Sequence, residues 1–257
     1  MLTLYFSGTG NSRYVAERFS SLMQADCHSI EGDLDFDKLL EGNDTLCFCY
    51  PIYGSCVPRI LREFVSAHQS SLQDKKLVLF CTQLLFSGDG ARVFTDLLVG
   101  IRYQVIQAEH IRMPNNLCNA FPFPVKDADQ CKKVFDAADR MLLSAAARIR
   151  AGTIRKRGFN PFSKVLGFLT QRFFFQKIET IAKSTVRVSA NCNACGACVR
   201  RCPMGNLRLA TDQHGQRHVV QNGNCTICYR CVNICPSQAI TVMLHKKVTH
   251  QYHGPVQ

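Results

Sequence analysis

Eight of the fifteen cysteines in this 257-residue chain fall into one pattern written twice. Cys192, Cys195, Cys198 and Cys202-Pro203 spell C-x2-C-x2-C-x3-C-P, and 33 residues later Cys225, Cys228, Cys231 and Cys235-Pro236 spell it again. Three thiolates on one tight loop can reach three corners of a 4Fe–4S cubane. The fourth, carried off by an extended segment that ends at proline, reaches a second cubane. The expected ligand sets are therefore crossed: Cys192, Cys195, Cys198 and Cys235 for one cluster, Cys225, Cys228, Cys231 and Cys202 for the other. Small residues in the loops (Ala194, Gly196, Ala197, Thr226) leave room for backbone N–H groups to point at the sulfurs. A zinc ribbon would use pairs of CxxC or CxxC with histidine, not a repeated four-cysteine run closed by Cys-Pro. The 22-residue connection from Cys202 to Cys225 reads as a hairpin: Asn206–Leu209, a turn near Gly215, and His218–Val220.

The chain is long enough for an ordinary domain ahead of this small one. Strand and helix patterns alternate there: apolar runs at Leu2–Phe6, Thr45–Tyr50, Leu77–Cys81 and Tyr103–Ile111, a weaker one at His28–Glu31, and helical patterns at Arg13–Met23, Arg59–Val65, Ala91–Val99 and Cys131–Arg148. Such alternation predicts an α/β fold, a doubly wound parallel sheet covered on both faces. The first strand runs into Ser7-Gly8-Thr9-Gly10-Asn11-Ser12, which opens the first helix. Glycines let this loop turn tightly, and hydroxyls with exposed N–H groups at a helix start suit a phosphate. The loop contains no lysine, unlike a nucleotide P-loop. Two more loops follow strands, Tyr50-Pro51-Ile52-Tyr53-Gly54 and Thr82–Gly90.

These residues resemble two known families. Ser7–Ser12 is similar to the phosphate loop of flavodoxins, which implies that Ser7, Thr9, Asn11 and Ser12 donate to the FMN phosphate while Gly8 and Gly10 shape the turn. The resemblance also implies that Pro51, Tyr53, Gly54 and Thr82 border the flavin, with Tyr53 stacked on its ring. The sequence departs from that family after the third strand, where Gln83-Leu84-Leu85-Phe86 stands in place of glycines. The double cysteine run resembles the bacterial dicluster ferredoxins. Together with Met113-Pro114-Asn115, the whole resembles a group of bacterial proteins that fuse a flavodoxin-like domain to such a ferredoxin. The expected organisation is a flavodoxin-like FMN domain at 1–150, a basic helical connector at 151–188, a small α+β ferredoxin domain at 189–245 and a poorly ordered tail at 246–257.

Charge is distributed unevenly. Residues 1–150 hold 16 Lys/Arg and 17 Asp/Glu, whereas residues 151–257 hold 15 Lys/Arg and only Glu179 and Asp212. Two oxidised clusters with their thiolates would remove part of that excess. The rest concentrates in residues 151–188, beside an apolar stripe of Phe162, Val165, Leu166, Leu169 and Phe173. A helix packing that stripe against its own domains is the preferred expectation. A basic helix lying on an anionic membrane surface is the second, an acidic protein partner the third. No nucleic-acid motif accompanies the charge. The other seven cysteines show no ligand spacing, and Cys47, Cys49 and Cys81 read as core; Cys56 stands beside the flavin loop. With no basic leader and no span of some 18–20 apolar residues, the expected location is the cytoplasm.

Two functions compete on this reading. One is an electron carrier passing electrons between FMN and the clusters and serving redox protein partners. The other is a flavin-dependent oxidoreductase that reduces a small molecule such as a quinone, a flavin or a nitro compound. The sequence names no catalytic residue for the second, and no oligomeric state.

Overall fold

The computed structural model describes residues 1–119, 123–243 and 245–255. The chain divides into two compact units, residues 1–113 with 128–176, and residues 114–127 with 177–257. Residues 114–127, expected within the first domain, thus group with the second. The expected connector is split, its residues 151–176 belonging to the first unit. The chain passes between the units at three points.

In the first unit the order is β1 (Leu2–Tyr5), α1 (Asn11–Met23), β2 (Asp26–Ser29), α2 (Phe36–Glu41), β3 (Thr45–Pro51), α3 (Arg59–Ala67), β4 (Lys75–Gln83), β5 (Tyr103–Arg112), α4 (Ala128–Arg150), β6 (Arg155–Lys156) and α5 (Pro161–Gly167). All strands pair in parallel in the order β2-β1-β3-β4-β5-β6. The order reverses between β1 and β3, the switch point at which such sheets bind ligands beyond the carboxyl ends of the strands. The central strands are apolar on both faces because both are covered. On one face Cys47, Cys49, Val78 and Phe80 pack with Val15 and Phe19 of α1 and Ala138 and Leu142 of α4. On the other, Phe48 and Tyr50 lie against Phe94, with ring centroids 4.7 and 5.7 Å away. Cys47, Cys49 and Cys81 are core residues, as expected.

The sixth strand was not foreseen. It is two residues long and pairs with Gln107 and Ala108. Its register is supported by buried Glu109, which accepts from Arg148 Nη2 at 2.8 Å and lies 3.4 Å from Arg155 Nε. Part of the basic excess is therefore spent inside the fold. The pattern read as a helix at Ala91–Val99 is a short 3-10 turn, Arg92–Leu97.

Beyond β6, Asn160 accepts from Ser163 N–H at 2.8 Å and Pro161 takes the first turn, a sequence-legible helix start. The helix runs from α5 through a π turn at Phe168–Arg172 into α6 (Phe173–Ala182), which carries the chain into the second unit. Its expected apolar stripe is not the buried face. The side turned to the first unit is instead Gly167, which approaches Gly88, and Arg172. Arg172 is buried and donates from Nη2 to Asp89 Oδ1, and from Nε to the Ser55 carbonyl at 3.2 Å. Polar pairing took this face because Asp89 is 0% exposed and must be neutralised where it lies.

The second unit holds β7 (Arg187–Val188), α7 (Ala197–Arg200), β8 (Leu207–Thr211), β9 (Arg217–Gln221), α8 (Arg230–Ile234) and β10 (Ile240–Thr241). β7 and β10 pair antiparallel, and β8 and β9 form the expected hairpin between the cysteine runs. The tail is ordered, contrary to expectation. Val248 and Tyr252 are buried, Gln251 Nε2 donates to the carbonyls of Val232 and Cys235 at 2.8 Å each, and Tyr252 N–H reaches Asn233 Oδ1 at 2.7 Å. A five-residue helix leaves its last carbonyls without internal partners, and Gln251 supplies them. Val256 and Gln257, at the end of that tail, lie outside the described residues. Among the described residues no helix is long and apolar enough to cross a membrane.

Removing Arg172 leaves Asp89 buried with Arg92, at 2.8 Å, and the Ser55 hydroxyl, at 3.3 Å. Arg172→Ala is expected to destabilise the first unit by about 3 kcal/mol, the scale for breaking a buried pair from one side. Urea unfolding followed through the sheet's far-ultraviolet signal measures this, and an unmoved midpoint would refute the role of the pair.

Candidate functional site

Three loops leave the carboxyl ends of neighbouring strands β1, β3 and β4. In the first, Gly10 sits at φ 100° as the N-cap of α1 with no side chain capping the helix, so the first-turn N–H groups face the loop. Gly10 N–H donates to Ser7 Oγ at 3.1 Å, which closes the turn. Ser7, Gly8 and Asn11 are buried, Thr9 and Gly10 half-buried. Ser12 is placed differently from a simple phosphate donor: its hydroxyl is buried and lies 2.8 Å from Thr82 Oγ1 at the end of β4. Two residues assigned separately to the flavin are thus one pair tying the first loop to the third strand of the site.

The second loop begins at Pro51 and turns at Gly54 (φ 52°) and Ser55 (φ 61°), with Tyr53 and Cys56 exchanging backbone bonds of 3.1 and 2.9 Å. Two successive left-handed residues make a type I′ turn. Phe175 of α6 lies where a side chain at position 54 would go, so glycine is required there. Tyr53 is half-buried, while Tyr50 is fully buried at the strand end and its hydroxyl donates toward the Gly90 and Ala91 carbonyls.

The third loop, lacking the family's glycines, is fixed by side chains. Ser55 Oγ donates to the Ser87 carbonyl at 2.6 Å, Ser87 Oγ donates to Gln83 Oε1 at 2.5 Å, and His110 Nδ1 lies 3.3 Å from Ser87 Oγ. His110 Nε2 accepts from Ala91 N–H at 3.2 Å. That acceptor role puts the proton on Nδ1, so the imidazole donates to Ser87 and is no base for it. Burial, helped by Arg157, pushes the His110 pKa down to about 4. Asp89, Arg172, Ser55, Ser87 and His110 therefore form one network holding the second and third loops. None was singled out from the sequence: Arg172 was one of eight charges in a basic run, and His110 stood without a partner in its strand.

The cysteine runs repeat in conformation as well as in sequence. Ala194 and Ile227, Gly196 and Tyr229, and Gly205 and Gln238 all have positive φ, each pair offset by 33 residues. A β-branched residue at φ 59° such as Ile227 is strained, and the strain needs a cause. It turns N–H groups toward sulfur: Ala194 N–H to Cys192 and Ile227 N–H to Cys225, at 3.4 and 3.3 Å. Asn206 N–H to Cys202 and Ala239 N–H to Cys235, at 3.2 and 3.3 Å, repeat the relation at the far ends of the runs. Cys198 interacts electrostatically with Cys235 and Cys192, and Cys228 with Cys225 and Cys202, the neighbours a crossed assignment requires, while Cys231 interacts with Cys198 as well as with its own set. A concavity is lined by Cys202, Cys225, Cys228 and Cys231, and by no cysteine of the other set. Buried Thr226 Oγ1, without a partner among the described residues, lines it as well. Among these residues no His, Cys, Asp or Glu group closes tightly enough to hold a single metal ion. Burial pushes the Cys228 thiol up to about 12 and holds the Cys231 thiol well above its ordinary value, so cluster assembly must displace these protons.

Residues 2–119 match the family model of a flavodoxin domain, and residues 191–239 that of a 4Fe-4S dicluster domain. The chain joins a flavodoxin domain to a 4Fe-4S dicluster domain. The two together imply FMN and two 4Fe–4S clusters, and an electron-transfer role. Similar solved structures include the two-electron reduced flavodoxin of Megasphaera elsdenii (21% identity, 55% of this chain and 99% of that one, TM-score 0.38). Flavodoxin 2 of Bacillus cereus is another (16% identity, 56% and 96%, TM-score 0.38). Comparison with curated proteins returned no match.

The flavodoxin domain's uncapped helix start, hydroxyl-rich loop and fixed second and third loops fit FMN. The dicluster domain's four N–H···S bonds and thiol-lined cavity fit its clusters. Cys235→Ala should damage the cluster of Cys192, Cys195 and Cys198. Retention of that cluster with loss of the other, read by electron paramagnetic resonance, would refute the crossed assignment.

His110 sets a pH response in the flavodoxin domain. Its folded pKa lies below the unfolded value of 6.5, so the unfolded state takes up the proton first as pH falls. The stability it contributes is present above 6.5 and is lost progressively toward about 4, by about 3 kcal/mol. In His110→Gln the unfolding free energy should fall less steeply over that window; parallel slopes would remove the histidine from the account.

Proposed function

We propose that this chain moves electrons within itself, between FMN on the flavodoxin domain and the two clusters of the dicluster domain, and exchanges them with redox protein partners. The observation that carries this reading is the placement of both cofactor-binding sets on one chain that passes between their units three times. Such linkage keeps two carriers at high effective concentration. Bound FMN accepts electrons singly or in pairs, and the clusters pass them one at a time.

The residues have separable roles. Gly10 and the α1 N–H groups, with Ser7, Thr9 and Asn11, hold the phosphate. The Ser12–Thr82 pair fixes the loop to the sheet, and Pro51, Tyr53 and Gly54 border the ring. Reduction of a small molecule at the flavin usually needs a proton donor beside it. Two buried ionisable groups that hold the second and third loops are already committed: His110 of β5 is held neutral between Ser87 and Ala91, and Asp89 is shared by Arg92 and Arg172. Electron transfer needs no such donor, and this favours the carrier over the oxidoreductase.

Thr9→Ala should weaken FMN by roughly ten- to a hundredfold, the worth of one charge-assisted hydrogen bond, and riboflavin hardly at all. Equal losses would show that the loop does not hold the phosphate. For the electron path, anaerobic protein with both cofactors is given less than one reducing equivalent in stopped flow. Redistribution between flavin and cluster absorbance should be first order with a rate independent of protein concentration. A rate proportional to concentration would make the transfer intermolecular and overturn the proposal.

A further inference from the structure

The helix that follows β6 has its polarity inverted relative to an ordinary surface helix. Its inward contacts are mostly polar or small: Arg172 to Asp89 and Ser55, Gln171 Nε2 to the Phe86 carbonyl at 3.0 Å, and Gly167 against Gly88, with Phe175 against Gly54 the large apolar exception. Its large apolar side chains face outward. Phe162 is 74% exposed, Leu169 60% and Val165 55%, and Phe168, Phe173 and Phe174 are exposed with them. Leu85 and Phe86, on the loop that Gln171 holds, are exposed too. Eight such side chains exceed the scattered apolar exposure that a monomeric surface normally carries.

The charge around this face is of one sign. Residues 151–176 contain no Asp or Glu and five Lys/Arg. Arg172 is consumed in the interior, while Arg155, Lys156, Arg157 and Lys164 are exposed. Phenylalanine and leucine outward, with lysine and arginine at the flank, is the composition of a helix lying in a membrane interface. Two copies of this face would bring like charges together, which disfavours self-association. A helix too short and too polar to span, but apolar on its outer side, meets the requirement for lying on a bilayer.

We propose that the outer face of residues 162–174, with Leu85 and Phe86, docks on an anionic lipid bilayer. The Arg172–Asp89 pair is the anchor that holds the helix to the first unit while its apolar side enters the lipid. Lys156 and Lys164 meet the headgroups, and the electron-transfer reading is not required for this docking.

The test mixes the cofactor-loaded full chain, anaerobically, with vesicles of phosphatidylcholine alone and of phosphatidylcholine with phosphatidylglycerol. Sedimentation should show binding to the anionic vesicles that weakens as salt rises. Phe162→Ser, Leu169→Ser and Phe174→Ser combined should lower the partition by about a hundredfold or more, with flavin and cluster absorbance intact. Lys156→Glu with Lys164→Glu should lower it by about tenfold or more without touching the apolar face. The chain has no tryptophan, so Phe162→Trp gives a single reporter whose emission should shift to the blue on anionic vesicles. Absence of binding, or binding that the three serines leave unchanged, would overturn the proposal. So would a dimer that the same serines dissociate without any vesicle binding, which would give the face to a second copy.

Discussion

The second unit is organised by the need to bring eight thiolates to two points. Its strands at β7 and β10 are two residues long, and its helices α7 and α8 four and five. Elements this short bury little apolar surface, so secondary structure alone cannot hold the unit. What repeats is the loop geometry: three left-handed positions and two N–H···S bonds per run, each displaced by 33 residues. Left-handed conformation at a non-glycine costs roughly 1–2 kcal/mol per residue. Iron–thiolate bonds offset that cost, because metal-binding energy becomes folding energy when the site does not preexist in the unfolded chain. The ordered tail belongs to the same economy of short elements. Gln251 satisfies backbone carbonyls at the end of α8, and Tyr252 N–H satisfies the Asn233 side chain.

In the flavodoxin domain the governing constraint is different. A doubly wound sheet places its ligand at the switch point whatever the loops contain, and the loops decide only how firmly it is gripped. Here the third loop has no glycine directly after its strand, and rigidity comes from Ser55, Ser87, His110, Asp89 and Arg172. Buried polar networks of this kind are costly when incomplete and specific when satisfied. The π turn is where Arg172 enters that network. Gly167 and Arg172, five residues apart, both face the domain across it, which a regular α-helix with its four-residue repeat would not achieve.

Legibility in the sequence followed the kind of force at work. The cluster ligands could be read because coordination dictates residue type and spacing together. The central strands could be read because burial on both faces leaves continuous apolar runs, and β8–β9 because turn residues flank them. β6 could not, since two residues carry no period and its stability lies in Glu109, Arg148 and Arg155 meeting from distant segments. The same holds for Ser12 with Thr82, where each residue's type suggested the flavin and only tertiary contact revealed the pair. The apolar stripe at Phe162–Phe173 was visible, but its direction was not. Hydrophobic periodicity shows that a helix has a greasy side; it does not say whether an interior or an exterior surface receives it.

That last distinction connects the two units' charge to their chemistry. Two clusters with their thiolates bring negative charge to the second unit, so an excess of Lys/Arg there has a local counterpart. Residues 151–176 lie in the first unit, where no cluster offsets them and where Arg155 and Arg172 meet the buried acids Glu109 and Asp89 while Lys156, Arg157 and Lys164 stay exposed. The first 150 residues balance 16 bases against 17 acids, the next 26 carry five bases and no acid, and residues 177–257 carry ten bases against two acids; the part of the excess that no cluster offsets therefore includes the element that holds α5. Because that element also turns its phenylalanines outward, charge and apolar surface coincide on the part of the chain least occupied with holding either cofactor. Their coincidence is what a docking face requires: long-range attraction from the lysines and arginines, and short-range burial from the phenyl rings.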